Sequence, residues 1–131
     1  MSVDAIGDFL TIIRTGIMAG KRTVTTPYSS VKHEIARVLL DEGFIESASQ
    51  VELEAPKKQL KIGLKYVKGE SVIHEIDRVS KPGLRLYYGH AAIKPVIGNL
   101  GISILTTNRG VMSGKKARNL GVGGELLCTV W

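Results

Sequence analysis

Residues 101–131, GISILTTNRGVMSGKKARNLGVGGELLCTVW, hold two apolar runs separated by two glycine-bearing turns. Gly101-Ile102-Ser103-Ile104-Leu105 is β-branched and apolar, as a buried strand requires. Leu126-Leu127-Cys128-Thr129-Val130 closes the chain in the same manner. Between them stand Thr106-Thr107-Asn108-Arg109-Gly110, a basic segment with Lys115 and Lys116, and Gly121-Val122-Gly123-Gly124-Glu125. The spacing brings both turns to the ends of packed strands. A fold containing this segment is therefore a sheet with a polar, glycine-lined edge.

The rest of the chain reads as helices and strands in alternation. Ile6, Phe9, Leu10, Ile13 and Ile17 repeat at helical spacing and predict a helix over about residues 4–19, capped by Asp4 and stopped by Gly20. Gly16 inside it implies a close packing contact, because glycine there costs ~1 kcal/mol against alanine. Residues 21–26 read as a basic turn into a short strand that Pro27 ends. Val31, Ile35, Val38 and Leu39 line a second helix, capped by Ser29 or Ser30, with Gly43 and Phe44 placed for a Schellman ending. Strands follow over 44–54 and through Leu60, Ile62, Leu64 and Tyr66, with a turn at Pro56-Lys57-Lys58. A further strand is expected over 72–79, and one through Leu84, Leu86 and Tyr88. A type II turn is expected at Pro82-Gly83, and a short helix over 93–100. The order is that of an α/β (α+β) protein in two small subdomains: a helix-strand-helix-strand-strand layer over 1–79 and a mixed, β-rich part over 80–131.

Charge divides along the same line. Residues 1–79 hold 11 Lys/Arg and 11 Asp/Glu, whereas 80–131 hold seven Lys/Arg and a single acid, Glu125. Nine of the 15 glycines also fall in the second part. Concentrated positive charge attracts phosphates and releases their counterions, so a polyanion is the expected partner. An anionic membrane fits less well, because the cations do not follow one face of an amphipathic helix. No apolar run approaches the ~20 residues of a membrane span, and Asp4 and Asp8 stand where a secretory leader would be basic. The lone Cys128 excludes an internal disulfide and suits a reducing compartment, so the chain is expected in the cytoplasm.

Catalysis is poorly supported. His33, His74 and His90 lack metal-ligand spacing and an evident nucleophile, so neither a metal nor another cofactor is expected. Cys128 sits in an apolar run, where cysteine behaves as a small hydrophobe. Gly121-Val122-Gly123-Gly124 lacks the third glycine of a dinucleotide fingerprint and precedes a strand where a helix is required.

A nucleic acid accounts for the same residues. Lys and Arg would hold phosphates without reading sequence. Thr106, Thr107 and Asn108 can exchange hydrogen bonds with base edges and ribose hydroxyls, and Gly110 lets backbone approach a groove. Ordinary turn chemistry is the competing reading of those three. Glu125 repels phosphate, so it would accept from base amino groups or ribose hydroxyls, fix a neighbouring loop, or neutralise an adjacent cation. Tyr87 could stack on a base or serve in packing.

These motifs resemble bacterial small-subunit ribosomal protein eight. The resemblance rests on Gly101, Ile104-Leu105, Thr106-Thr107, Gly110-Val111-Met112, Ala117-Arg118 and Gly123-Gly124-Glu125. It extends through residues 79–87, through Asp4 to Arg14, and through Pro27, Ser29, Lys32 and Glu42-Gly43-Phe44-Ile45. It implies a two-domain, non-catalytic protein that binds a helical junction in the central domain of small-subunit ribosomal RNA during assembly, beside neighbouring ribosomal proteins. Some members also repress their own operon by binding a similar messenger structure. A free translational regulator or RNA chaperone is the alternative. The resemblance places RNA contacts at Thr106, Thr107 and Asn108, with Gly123, Gly124 and Glu125 beside them. Lys81 and Tyr87 follow as supporting positions, and Ser29 and Lys32 as a secondary contact. Arg109, Gly110, Lys115 and Lys116 complete the expected surface. The family usually has Ser-Thr-Ser at 106–108 and acidic residues near 114–116, so Asn108, Lys115 and Lys116 are departures. If Ser113 caps a helix, the two lysines oppose its dipole by roughly 0.3–1 kcal/mol each.

Overall fold

The computed structural model describes residues 4–54, 57–97 and 100–131. It forms two compact units: Asp8–Ile73, and His74–Trp131 together with the described residues up to Gly7.

In the first unit, α1 (Ala5–Met18) buries Phe9, Leu10, Ile13 and Gly16. A Cβ at Gly16 would meet the Val24 side chain and lie 3.2 Å from Leu64 Cδ1, so the glycine inside the helix marks the close approach its sequence position implied. Gly20, at φ +67, ends the helix. Strand β1 (Thr23–Pro27), helix α2 (Ser30–Asp41), strand β2 (Ile45–Glu54) and strand β3 (Lys57–Leu64) follow. The strands make an antiparallel sheet in the order β1-β3-β2. Ser29 caps α2 by accepting from the Lys32 N–H at 3.2 Å. Gly43 has φ +80. Phe44 N–H returns to Leu39 O at 2.8 Å and Gly43 N–H to Leu40 O at 3.1 Å, which is the Schellman pattern. Val24, Ile35, Leu39, Leu60, Ile62 and Leu64 are buried in this unit.

Two details differ from the sequence reading. Lys57 and Lys58 lie in β3 rather than in a turn, and Pro56 falls outside the described residues. The alternation through Tyr66 breaks after Leu64, and Tyr66 joins a two-residue ladder, β4 (Tyr66–Val67) with β5 (Glu70–Ser71).

The second unit is built on β10 (Gly124–Val130). One side of β10 pairs along its length with β8 (Ile102–Thr107), which pairs in turn with β9 (Gly110–Ser113). The other side pairs first with β7 (Tyr87–Tyr88) and then with β6 (Ile76–Arg78). Between those two partners β10 carries a bulge, with Leu127 extra between Leu126 and Cys128. The bulge carbonyl Leu127 O accepts Val79 N–H at 3.0 Å and Arg78 Nη1 at 2.9 Å. Helix α3 (Gly114–Leu120) follows β9, capped by Ser113, which accepts from Lys116 N–H at 3.2 Å. Leu105, Met112, Ala117 and Ile93 form the buried centre, with Tyr88, Val122 and Leu126 against it.

Because β6 pairs with β10, the boundary expected after Val79 falls after Ile73. Of the strand expected over 72–79, only Ile76–Arg78 is paired. His74 and Glu75 N–H both turn to Trp131 O instead. The strand through Leu84, Leu86 and Tyr88 shrinks to Tyr87–Tyr88, and Leu84 is 65% exposed. Lys81 and Leu84 close a tight turn about Pro82-Gly83, but Gly83 is not left-handed, so the turn is not type II. The short helix expected from Ile93 is absent over 93–96. A 3-10 turn stands earlier, at His90–Ala92, and Val96 bridges Gly101; Gly98 and Asn99 lie outside the described residues.

Candidate nucleic-acid interface

The two motifs expected to cooperate are cross-strand neighbours. Glu125 lies opposite Thr106 on β8 and opposite Tyr87 on β7. Gly124 lies opposite Thr107 and Tyr88 in the next row. Side chains directly across a ladder share a face. Tyr87, Glu125 and Thr106 therefore form one transverse row over three strands.

Thr106 and Thr107 end β8, so the turn itself is only Asn108-Arg109, both exposed. Thr107 Oγ1 accepts Arg109 N–H at 3.0 Å and donates to Gly110 O at 2.9 Å. Gly110, at φ +108, lets the chain re-enter β9. The Thr107 hydroxyl thus fixes the turn that presents Asn108 and Arg109. Gly121, at φ +70, ends α3, and Val122 N–H returns to Ala117 O at 3.0 Å.

Gly123 and Gly124 are required by packing. A Cβ at 123 would strike the Tyr88 carbonyl and lie 2.7 Å from Gly89 Cα. One at 124 would strike the Thr106 carbonyl. Lys81 and Tyr87 are exposed, Tyr87 by 70%. Lys115 and Lys116 are exposed in the first turn of α3. Ser29 and Lys32 lie in the other unit. Lys32 is buried there, its Nζ donating to Thr26 Oγ1 and Pro27 O, both at 3.1 Å.

The carboxylate of Glu125 is held on two sides. Its Oε2 accepts from Ser80 Oγ at 2.5 Å and from Arg85 Nη1 at 3.0 Å. Burial pushes its pKa up, but the hydrogen bonds from Ser80 and Arg85 and the charges of Arg85 and Arg78 outweigh this and hold it below the ordinary value. Asp4 follows the same balance. Burial raises it, while the Gly7 N–H and the Arg78 guanidinium bring it below normal. Arg78 Nε and Asp4 Oδ2 stand 3.2 Å apart. The positional signal for Ser80, Arg85 and Arg78 was slight. Glu125 as the lone acid of its half pointed to a cationic neighbour without saying which.

Both depressed values act on stability in one direction. The unfolded chain takes up these protons at higher pH than the folded one, so the contribution is full above the ordinary values of 3.8 and 4.5. It is lost as pH falls through the folded values. Urea midpoints of the wild type and of Asp4→Asn/Glu125→Gln should therefore differ clearly at pH 7 and draw together as pH falls below the ordinary carboxyl values. A constant gap across that range would contradict the assignment.

Among the described residues, no cluster of three His, Cys, Asp or Glu could hold a metal. Burial pushes the Cys128 thiol up to about 12, far from thiolate reactivity. No described helix is long and apolar enough to cross a membrane.

Comparison with known proteins identifies the family. Residues 4–131 match the family described as Ribosomal protein S8. Small ribosomal subunit protein uS8 of Verminephrobacter eiseniae is 54% identical over 127 residues, covering 97% of this chain and 96% of its own length. The proteins of the same name from Delftia acidovorans and Cellvibrio japonicus are 53% and 51% identical, covering 97% and 98% of this chain and 96% and 97% of their own lengths. With one fold-spanning match and relatives aligned nearly end to end, the chain belongs to the ribosomal protein S8 family.

Proposed function

We propose that this protein is a structural constituent of the small ribosomal subunit that binds small-subunit ribosomal RNA directly, through the edge formed by β7, β10 and the β8–β9 turn. Its relatives' shared identity as small-subunit proteins, at more than half identity to the first two, carries the reading. The transverse row of Tyr87, Glu125 and Thr106, flanked by Lys81 and Arg109, supports it. Exposed cations hold phosphate, an exposed aromatic ring can stack on a base, and hydroxyls meet ribose. The protein supports assembly of the RNA's central domain beside other ribosomal proteins in the cytoplasm. A messenger that folds into a similar junction is a second ligand for the same edge, which is the route to repression of its own operon.

Footprinting the purified protein on naked small-subunit RNA tests this. Protection confined to one helical junction is expected, and protection scattered in proportion to concentration would refute specific binding. A free regulator or RNA chaperone would bind RNA yet fail to sediment with small subunits. Salt titration separates the roles of the side chains. Lys115→Ala and Lys116→Ala should each weaken binding to all sequences and flatten the plot of log K against log salt by about 0.7–1. Thr107→Ala should lose specific binding with little change in slope, because it removes a hydroxyl and no charge. The opposite partition would reverse these assignments.

A further inference from the structure

We propose that Ser80 is a positioning residue for RNA binding, acting through Glu125 and Arg85 to hold the 81–86 turn so that Lys81 meets phosphate. The proposal rests on the RNA-binding reading above and adds to it a buried residue that cannot touch the ligand.

Ser80 is 0% exposed. Its hydroxyl is engaged in both directions, donating to Glu125 Oε2 at 2.5 Å and accepting from Leu86 N–H at 3.1 Å. The turn it spans is closed at its tip by Lys81 N–H to Leu84 O and Leu84 N–H to Lys81 O, both at 2.9 Å. At its base, Ser80 N–H donates to Leu126 O, and Leu126 N–H to Leu86 O, each at 3.0 Å. The turn therefore hangs from Leu126 by both ends. The Ser80 hydroxyl is the cross-brace between them, and Glu125 is what orients that hydroxyl.

The same geometry argues against Glu125 as a direct ligand. Its side chain is 12% exposed and already accepts from Ser80 and Arg85 within the protein. Arg85, 47% exposed, neutralises it at the surface. An approaching phosphate thus meets a compensated pair rather than a bare anion. The lone acid of a basic segment is tolerated at the interface because its work is internal.

The test is salt-titrated binding of full-length Ser80→Ala, Lys81→Ala and the double variant to a transcript of the small-subunit central domain. Amide exchange at Leu86 in the free protein is followed in parallel. Ser80→Ala should bind about tenfold more weakly, with a salt slope reduced by about 1, the signature of one lost phosphate contact. Leu86 exchange should accelerate. In the Lys81→Ala background, removing Ser80 should add little. Simple destabilisation would leave the salt slope unchanged and the two substitutions additive. Glu125→Ala removes the acceptor of the Ser80 hydroxyl, so it should likewise accelerate Leu86 exchange and lower affinity and slope, with little further loss in the Lys81→Ala background, whether or not Ser80→Ala folds. The proposal is overturned by wild-type affinity and slope in Ser80→Ala, by additivity with Lys81→Ala, or by lost binding in Glu125→Ala with Leu86 still protected. A wild-type protein with no affinity for the transcript defeats the RNA reading itself, a distinct result, and this proposal with it.

Discussion

Replacing Gly124 by alanine is expected to lower the melting temperature by about 10 °C, a loss of about 3 kcal/mol, the upper end for forcing a methyl into packed structure. The added Cβ would collide with the Thr106 carbonyl oxygen, 2.9 Å from Thr106 C and 3.1 Å from Thr107 Cα. The obstacle is backbone, so no rotamer change relieves it. Nor can β10 retreat, since Gly124 pairs with Thr107 on one side and Tyr88 on the other. RNA binding should fall with stability, because the collision separates the strands that carry the site. Gly121→Ala is the useful contrast. Gly121 has φ +70 and nothing within 4 Å of its missing Cβ, so only the left-handed backbone is penalised, at ~1–2 kcal/mol. Calorimetric melting of the two variants should show the larger loss at 124. Equal losses would mean that β8 and β10 can part without cost.

Arg78→Ala is the second large effect expected, at about 2 kcal/mol, below the ~3–5 kcal/mol of a fully buried ion pair that loses one partner because Asp4 stays partly in water. The Arg78 side chain is 10% exposed and bonds to Asp4 at two atoms and to Leu127 O. Without it Asp4 remains part-buried and loses its paired countercharge, keeping the Gly7 N–H and the charge of Arg85. The carbonyl of Leu127 retains Val79 N–H alone. Asp4→Asn in the same background should recover part of the loss by removing the stranded charge. Urea unfolding of the single and double variants measures the difference. A double variant less stable than Arg78→Ala would show that Asp4 contributes through its cap and not through the pair.

Those two residues also show where reading the sequence stops. Helical spacing in α1 and α2, the Ser29 cap and the Gly43-Phe44 ending are local patterns, each decided within a few residues, and all were legible. The nearness of Thr106-Thr107-Asn108 to Gly123-Gly124-Glu125 followed from the family resemblance, and the pairing of Thr106 with Glu125 is what the fold adds. Arg78 and Asp4 stand 74 positions apart, and no local pattern joins them. Charge misled for the same reason. Division after Val79 gives net zero and +6. Division by compact unit gives 10 basic and eight acidic residues in Asp8–Ile73, against eight and four in the other. Asp4, Glu75 and Asp77 join the basic unit through contacts that only the fold creates. The strand expected over 72–79 was over-read because its apolar content says nothing of Trp131, whose carbonyl takes the His74 and Glu75 N–H groups. Ser80 had no signature, since a serine before Lys-Pro-Gly reads as one more loop residue.

The bulge at Leu127 has a bearing on how this chain can vary. Strand faces alternate strictly, so one added or deleted residue inverts every side chain beyond it. The bulge is where that rule is suspended. Leu126 pairs with Leu105 and Cys128 with the adjacent Ile104, so Leu127 is a surplus residue, and Glu125, Cys128 and Val130 stay on the face of Thr106, Ile104 and Ile102. Loss of Leu127 would leave those faces unchanged and would remove instead the carbonyl that takes Val79 N–H and Arg78 Nη1. The strand can therefore change length by one residue at that point without turning a side chain over, and what retains the surplus residue is the arginine that pairs with Asp4.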